Sequence, residues 1–176
     1  MEIELLERQS SELRKDIVEV CYHSKAGHVG GSLSAIDILN VLYFNELRID
    51  PNNPKMENRD RFILSKGHIA EALYVTLAKR GFFAYSELDN FSGYNTKYIG
   101  HPNNKVAGVE MNTGALGHGL AIGVGLAIAA KKMGQDYRTY VLMGDGELAE
   151  GSIWESAMAA GHYKLSLIHI SEPTRP

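Results

Sequence analysis

Five of the seven histidines follow a glycine in this chain, and three of them sit in polar, loop-like clusters: His28 in AGHVGG, His68 in SKGH and His101 in IGHPNN. A fourth polar cluster, VLMGDGELAEG, places Asp145 between Gly144 and Gly146 directly after an apolar run and follows it with Glu147 and Glu150. An imidazole changes charge near neutral pH and both donates and accepts hydrogen bonds, so it suits proton transfer to and from hydroxyls. A carboxylate is a hard oxygen donor of the kind that magnesium takes alongside the oxygens of a diphosphate. The flanking glycines are expected to allow backbone angles closed to other residues and close approach of a ligand to the main chain. Alone, GDG reads equally as a tight turn with a capping aspartate, and a histidine beside glycine as a loop residue bonded to backbone.

The elements around these clusters suggest how they are held. Residues 3–22 carry Leu6, Leu13, Ile17, Val20 and Cys21 at helical spacing among charges. A break at AGHVGG leads to a second helix, expected to start at Ser32 or Ser34 as cap and to run to about Phe44. DPNNP reads as a turn, RFILS as a short buried strand, and KGHIAEALYVTLAKRG as a helix stopped by Gly81. Residues 86–114 read as a long glycine- and asparagine-rich loop, a kind that tends to be functional. GALGHGLAIGVGLAIAAKKMG reads as a helix, YRTYVLM as a strand and residues 153–160 as the start of another helix. Tyr74, Trp154 and the stripe at 121–129 read as packing, and His118 and His162 as residues without a catalytic part.

Strands alternating with helices predict an α/β fold, a doubly wound parallel sheet with helices on both faces. Ligands of such sheets bind beyond the carboxyl ends of the strands, where SKGH and GDGE both fall.

Composition narrows the function classes. The 176 residues are 44% hydrophobic and 22% charged, enough for one core and unlike a disordered segment. A formal net charge of −3 with scattered basic residues gives no patch for nucleic acid. The single cysteine excludes a disulfide framework and fits a reducing compartment, and the charged N-terminus is neither a signal peptide nor a membrane span, so a cytoplasmic location is expected.

The end of the chain behaves differently. LSLIHISEPTRP starts as a strand would, where a third is due, and ends in a polar, proline-bearing stretch. Back-translated, it resembles a transposon-end sequencing adapter read in frame. Residues 166–176 are therefore read as a scar replacing native sequence, leaving residues 1–165 as a partial domain.

AGHVGGSLSAIDIL, NRDRFILSKGHIAEALY, GHP at residues 100–102, TGALGHGL and GDGELAEGSIWE together resemble the diphosphate-binding half of transketolase, a thiamine diphosphate enzyme. The GGSLS and LGHGL forms are more similar to split transketolases, in which this half is a separate N-terminal subunit. The resemblance implies transfer of a two-carbon ketol unit between sugar phosphates, a place in the pentose phosphate pathway, and a partner: a C-terminal, pyrimidine-binding subunit, in a dimer of heterodimers. It assigns Asp145 to Mg2+ and Gly144, Gly146 and His68 to the diphosphate neighbourhood. Gly114 and Leu116 would lie on the aminopyrimidine side of the cofactor, His28 and His101 would contact the sugar and assist proton transfer, and Glu150 and Glu155 would join an acidic network across the subunit interface. It also implies a magnesium-binding asparagine near position 175, yet no asparagine follows Asn112, so the truncated chain by itself is expected to be inactive. A relative of 1-deoxyxylulose-phosphate synthase and a non-catalytic interaction subunit are the alternative readings.

Overall fold

The computed structural model describes residues 2–165 and the backbone of the strand at 167–172. In chain order the elements are α1 (Ile3–Ser24), α2 (Val29–Val41, prolonged by a π turn at Leu42–Glu46), β1 (Arg61–Leu64), α3 (Ala70–Arg80), α4 (Gly119–Met133), β2 (Thr139–Gly144), α5 (Gly151–His162) and β3 (Leu167–Glu172). The sheet order is β1-β2-β3 and both pairings are parallel, with Leu64 opposite Leu142 and Leu142 opposite Ile170. No helix among the described residues is long and apolar enough to cross a membrane.

Side chains of successive strand residues point to opposite faces of a sheet. Phe62, Leu64, Tyr140 and Leu142 accordingly pack with Leu13 and Ile17 of α1, Ile36 and Leu39 of α2, and Leu73 and Leu77 of α3. Ile63, Val141 and Met143 pack on the other face with Leu120 of α4 and Ile153 of α5. The result is the doubly wound arrangement the alternating pattern predicts. Residues of α3 are buried without interruption from Ala70 to Ala78, as expected of a helix enclosed on all sides. It ends at Gly81, whose φ of +97° closes the last turn.

Three expectations need correction. First, α2 starts at Val29, not at Ser32 or Ser34, and its N-cap is His28. Ser32 is buried inside the helix and bonds the Glu71 carboxylate, while the Ser34 hydroxyl donates to the Gly31 carbonyl. A distant carboxylate thus takes the part expected of a local serine cap. Second, α4 begins at Gly119, because Gly114 and Gly117 have φ of +146° and +87°, outside helical geometry. Third, Trp154, expected to be packing, is 61% exposed, with its indole N–H donating to the Leu148 carbonyl.

The long connection after α3 is anchored rather than open. It contains a 3-10 turn at Tyr85–Asn90, buries Leu88, Phe91, Tyr98 and Val106, and passes His101 so that the Tyr74 hydroxyl donates to its carbonyl at 2.8 Å. Leu167–Glu172 continues the sheet at the position where a third strand is due.

Candidate functional site at the carboxyl ends of β1 and β2

The turn after β1 is buried through Ser65, Lys66 and Gly67, and it delivers His68 half-buried at the start of α3. A side chain at Gly67 would come within 2.8 Å of the Gly114 nitrogen and 2.9 Å of the Thr113 carbonyl, so glycine is what allows the 113–114 segment to lie against this turn. The Thr113 hydroxyl secures the same segment by donating to the Leu64 carbonyl at 2.6 Å.

His28, His68 and His101 gather here. The His28 and His68 rings meet edge to face with centroids 5.2 Å apart. His101 lies against Gly114, where an added Cβ would stand 2.6 Å from its Cδ2, in addition to the strain of φ +146°. Burial holds the His68 pKa below its ordinary value of 6.5, and the Lys66 ammonium, His28 and His101 push the same way against Glu71. His68 is therefore a neutral imidazole at physiological pH, with one nitrogen to donate and one to accept.

The second cluster hangs from β2. Strand residues are buried as far as Gly144, after which Asp145 emerges exposed and a 3-10 turn, Gly146–Ala149, follows. Neither Gly144 nor Gly146 has a positive φ, contrary to the expectation that they supply unusual angles. Gly146 instead leaves room: a Cβ there would meet no other atom within 4 Å, so a ligand has open access to the main chain beside Asp145.

Glu147 is the residue whose part the motif reading missed. Its side chain is buried, and Oε1 accepts the Ser65 hydroxyl and the Gly117 N–H (2.8 Å), while Oε2 accepts the Gly144 N–H at 3.2 Å. One carboxylate thus ties the end of β1, the approach to α4 and the end of β2. Its signal in the sequence was its place three residues from a strand end, inside a turn too short to carry it away from the sheet.

The remaining assigned residues lie along the rim. Leu116 is 40% exposed, and Glu150 is exposed at the start of α5, packed against Gly117, where a Cβ would fall 2.8 Å from the Glu150 Cβ. Glu155 is exposed one turn into α5. His118 turns its ring to the Leu116 carbonyl and His162 packs on Tyr163. Among the described residues no group of three or more His, Cys, Asp or Glu side chains could hold a metal ion.

Residues 7–171 match the family described as "Transketolase, thiamine diphosphate binding domain". The chain belongs to the transketolase family. It is 52% identical over 99% of its length to an apulose-4-phosphate transketolase subunit of Phocaeicola vulgatus, and 47% identical over 97% to the corresponding subunit of the same name in Actinobacillus succinogenes. It spans 63% of the length of each of these relatives. Among solved structures, transketolase from Campylobacter jejuni superposes with a TM-score of 0.92 at 37% identity, covering 98% of this chain and 28% of that one. The transketolase match runs into the segment read above as adapter-like.

The donor set fits the cofactor of this transketolase domain. Asp145 offers a single exposed carboxylate beside the open approach over Gly146, which suits a magnesium ion that completes its shell with diphosphate oxygens and water. His68 supplies a neutral donor, and His101 can lie against the 113–114 segment because residue 114 carries no side chain.

Proposed function

We propose that this chain is the diphosphate-binding half of a two-subunit transketolase that uses thiamine diphosphate and Mg2+ to move a two-carbon ketol unit from a ketose phosphate to an aldose. The observation that carries this reading is the convergence of His28, His68, His101 and Gly114 at the end of β1, next to the Asp145 turn at the end of β2.

In this reading Asp145 holds the magnesium, and His68 with the main chain at Gly144 and Gly146 binds the diphosphate. Gly114 and Leu116 border the aminopyrimidine side. When bound, the cofactor supplies the stabilisation of negative charge at carbon that no side chain offers. His28 and His101 bind the hydroxyls of the donor sugar and hold or release protons at those oxygens. Glu150 and Glu155, exposed on one side of the site, face the pyrimidine-binding partner, and the apolar outer side of α5 (Trp154 and Met158) gives that partner a surface. The assembly is a dimer of heterodimers in the cytoplasm, where the unpaired Cys21 is stable as a thiol.

Apulose 4-phosphate, which appears in the names of both relatives, is the first donor to test. The chain carrying residues 166–176 as they stand is expected to be inactive; with native sequence in their place, the subunit assembled with a pyrimidine-binding partner, thiamine diphosphate and Mg2+ is expected to split this donor in the presence of an aldose acceptor and to do so faster than it splits other pentulose phosphates. Absence of ketol transfer with any ketose phosphate refutes the reading. Residues 166–176 we propose to be adapter-derived, which accounts for the missing asparagine near position 175; genomic reads that continue through these codons refute that.

A further inference from the structure

Glu71 is a carboxylate in the interior of the histidine layer, on a helix that is otherwise apolar over most of its buried length. Its Oε1 accepts the His28 N–H at 2.6 Å and the Ser32 hydroxyl at 2.7 Å. Its Oε2 is buried and has no hydrogen-bond partner among the described residues. A half-satisfied buried carboxylate is costly, and packing alone favours an alanine or leucine at such a position in a helix contact.

The chain is tightly fitted over this carboxylate. Gly27, with φ +119°, passes so close that a Cβ would stand 2.6 Å from the Cys21 Sγ and 3.1 Å from the Glu71 Oε1. His28, the N-cap of α2, makes no capping bond with its own side chain, which leaves the imidazole free to face the site. Glu71 does the capping from α3, and a negative group is favoured at the positive end of the 13-residue α2.

We propose that Glu71 is a positioning residue: by gripping the His28 N–H and the Ser32 hydroxyl it fixes the start of α2, and with it the place where the His28 imidazole meets His68. Its part in donor binding rests on the reading of His28 given above. Its grip on the main chain does not.

The test therefore has two arms. In 1H–15N spectra of the full chain, the His28 amide proton is expected far downfield because of its short bond to a carboxylate, and Glu71→Gln moves it upfield. In the assembled enzyme, Glu71→Ala raises the donor KM about tenfold, the scale of one hydrogen bond to a charged group. It leaves cofactor affinity nearly unchanged, and Glu71→Gln, which keeps an acceptor oxygen, restores most of the loss. In a His28→Ala background the Glu71→Ala effect disappears, because the two act through one contact. An unmoved His28 amide in Glu71→Gln, or a KM effect that persists undiminished without the His28 ring, overturns the proposal. Failure of ketol transfer in the unaltered enzyme refutes the proposed function instead, while the amide shift still decides Glu71. If Glu71→Ala does not fold, the His28 amide shift in Glu71→Gln decides the proposal.

Discussion

The two faces of the sheet are built to different standards. On the face that carries the histidines, α1, α2 and α3 bury Ile17, Ile36, Leu39 and Leu77 completely, and even the polar residues Ser10, Ser32, Asn40 and Glu71 are enclosed. On the face that carries Asp145, Leu120 and Ile153 are buried against the strands while Val124, Ala127 and Ala130 of α4 are enclosed less completely, and α5 turns Trp154 and Met158 outward. The difference teaches that the histidine arrangement is braced from within this chain. The outer side of the Asp145 layer is a surface that, in our reading, the partner subunit completes.

The sharpest way to break this comparison is to cut the carboxylate that ties the ends of β1 and β2 to the approach to α4. Glu147→Ala strands the Ser65 hydroxyl and the Gly117 and Gly144 N–H groups, and is expected to cost about 4 kcal/mol of stability, the sum of several lost buried bonds; chemical denaturation measures it. Glu147→Gln, which keeps two polar atoms, costs less. Second in size, Asp145→Ala removes the exposed carboxylate of the turn and is expected to weaken magnesium-dependent binding of thiamine diphosphate by about 100-fold in titration calorimetry. Its fold is expected to be unaffected, so a large loss of Tm contradicts the assignment of Asp145 to ligand rather than scaffold. Third, Gly114→Ala is expected to raise the donor KM, because it both strains a backbone at φ +146° and pushes His101 aside. Histidine-selective NMR shows the displacement directly.

Smaller effects sharpen the contrast. The depressed pKa of His68 means that the unfolded chain binds a proton which the folded chain refuses, so stability is full above about pH 6.5 and declines on acidification below it. His68→Asn flattens that part of the profile. Smallest on the chain by itself is Trp154→Ser, expected to change stability by less than about 0.5 kcal/mol as an exposed substitution. The same change is expected to weaken association with the partner, which sedimentation of the mixed subunits reads.

Much of the fold was legible because its signals are local. Periodicity marked α1, α3 and both strands of RFILS and YRTYVLM to within a few residues, and Gly81 marked the end of α3. The α/β class followed from the alternation of those elements. What escaped depended on contacts across long stretches of chain. The start of α2 is set by Glu71, 43 positions from the His28 whose N–H it accepts, and no neighbouring residue betrays it. Glu147 stood in the quoted motif, but that it folds inward while Asp145 points outward is decided by the Ser65 and Gly117 donors arriving from elsewhere. The special angles expected at Gly144 and Gly146 were found at Gly27, Gly114 and Gly117, where the chain passes another segment closely. The histidine cluster was legible only as three separate motifs, and the sheet supplied their meeting point.

Leu64 and Leu142 are direct partners in the parallel ladder. Neighbouring strands lie about 4.8 Å apart whatever the length of the chain that joins them. The spacing between the His68 turn and the Asp145 turn is thus metered by the ladder, while the intervening segment, with Tyr94 at its tip 97% exposed, carries none of that distance. Residues can be added or removed around Tyr94 without altering the gauge between the two turns, which makes that tip the natural place for diversification and for grafting a reporter peptide.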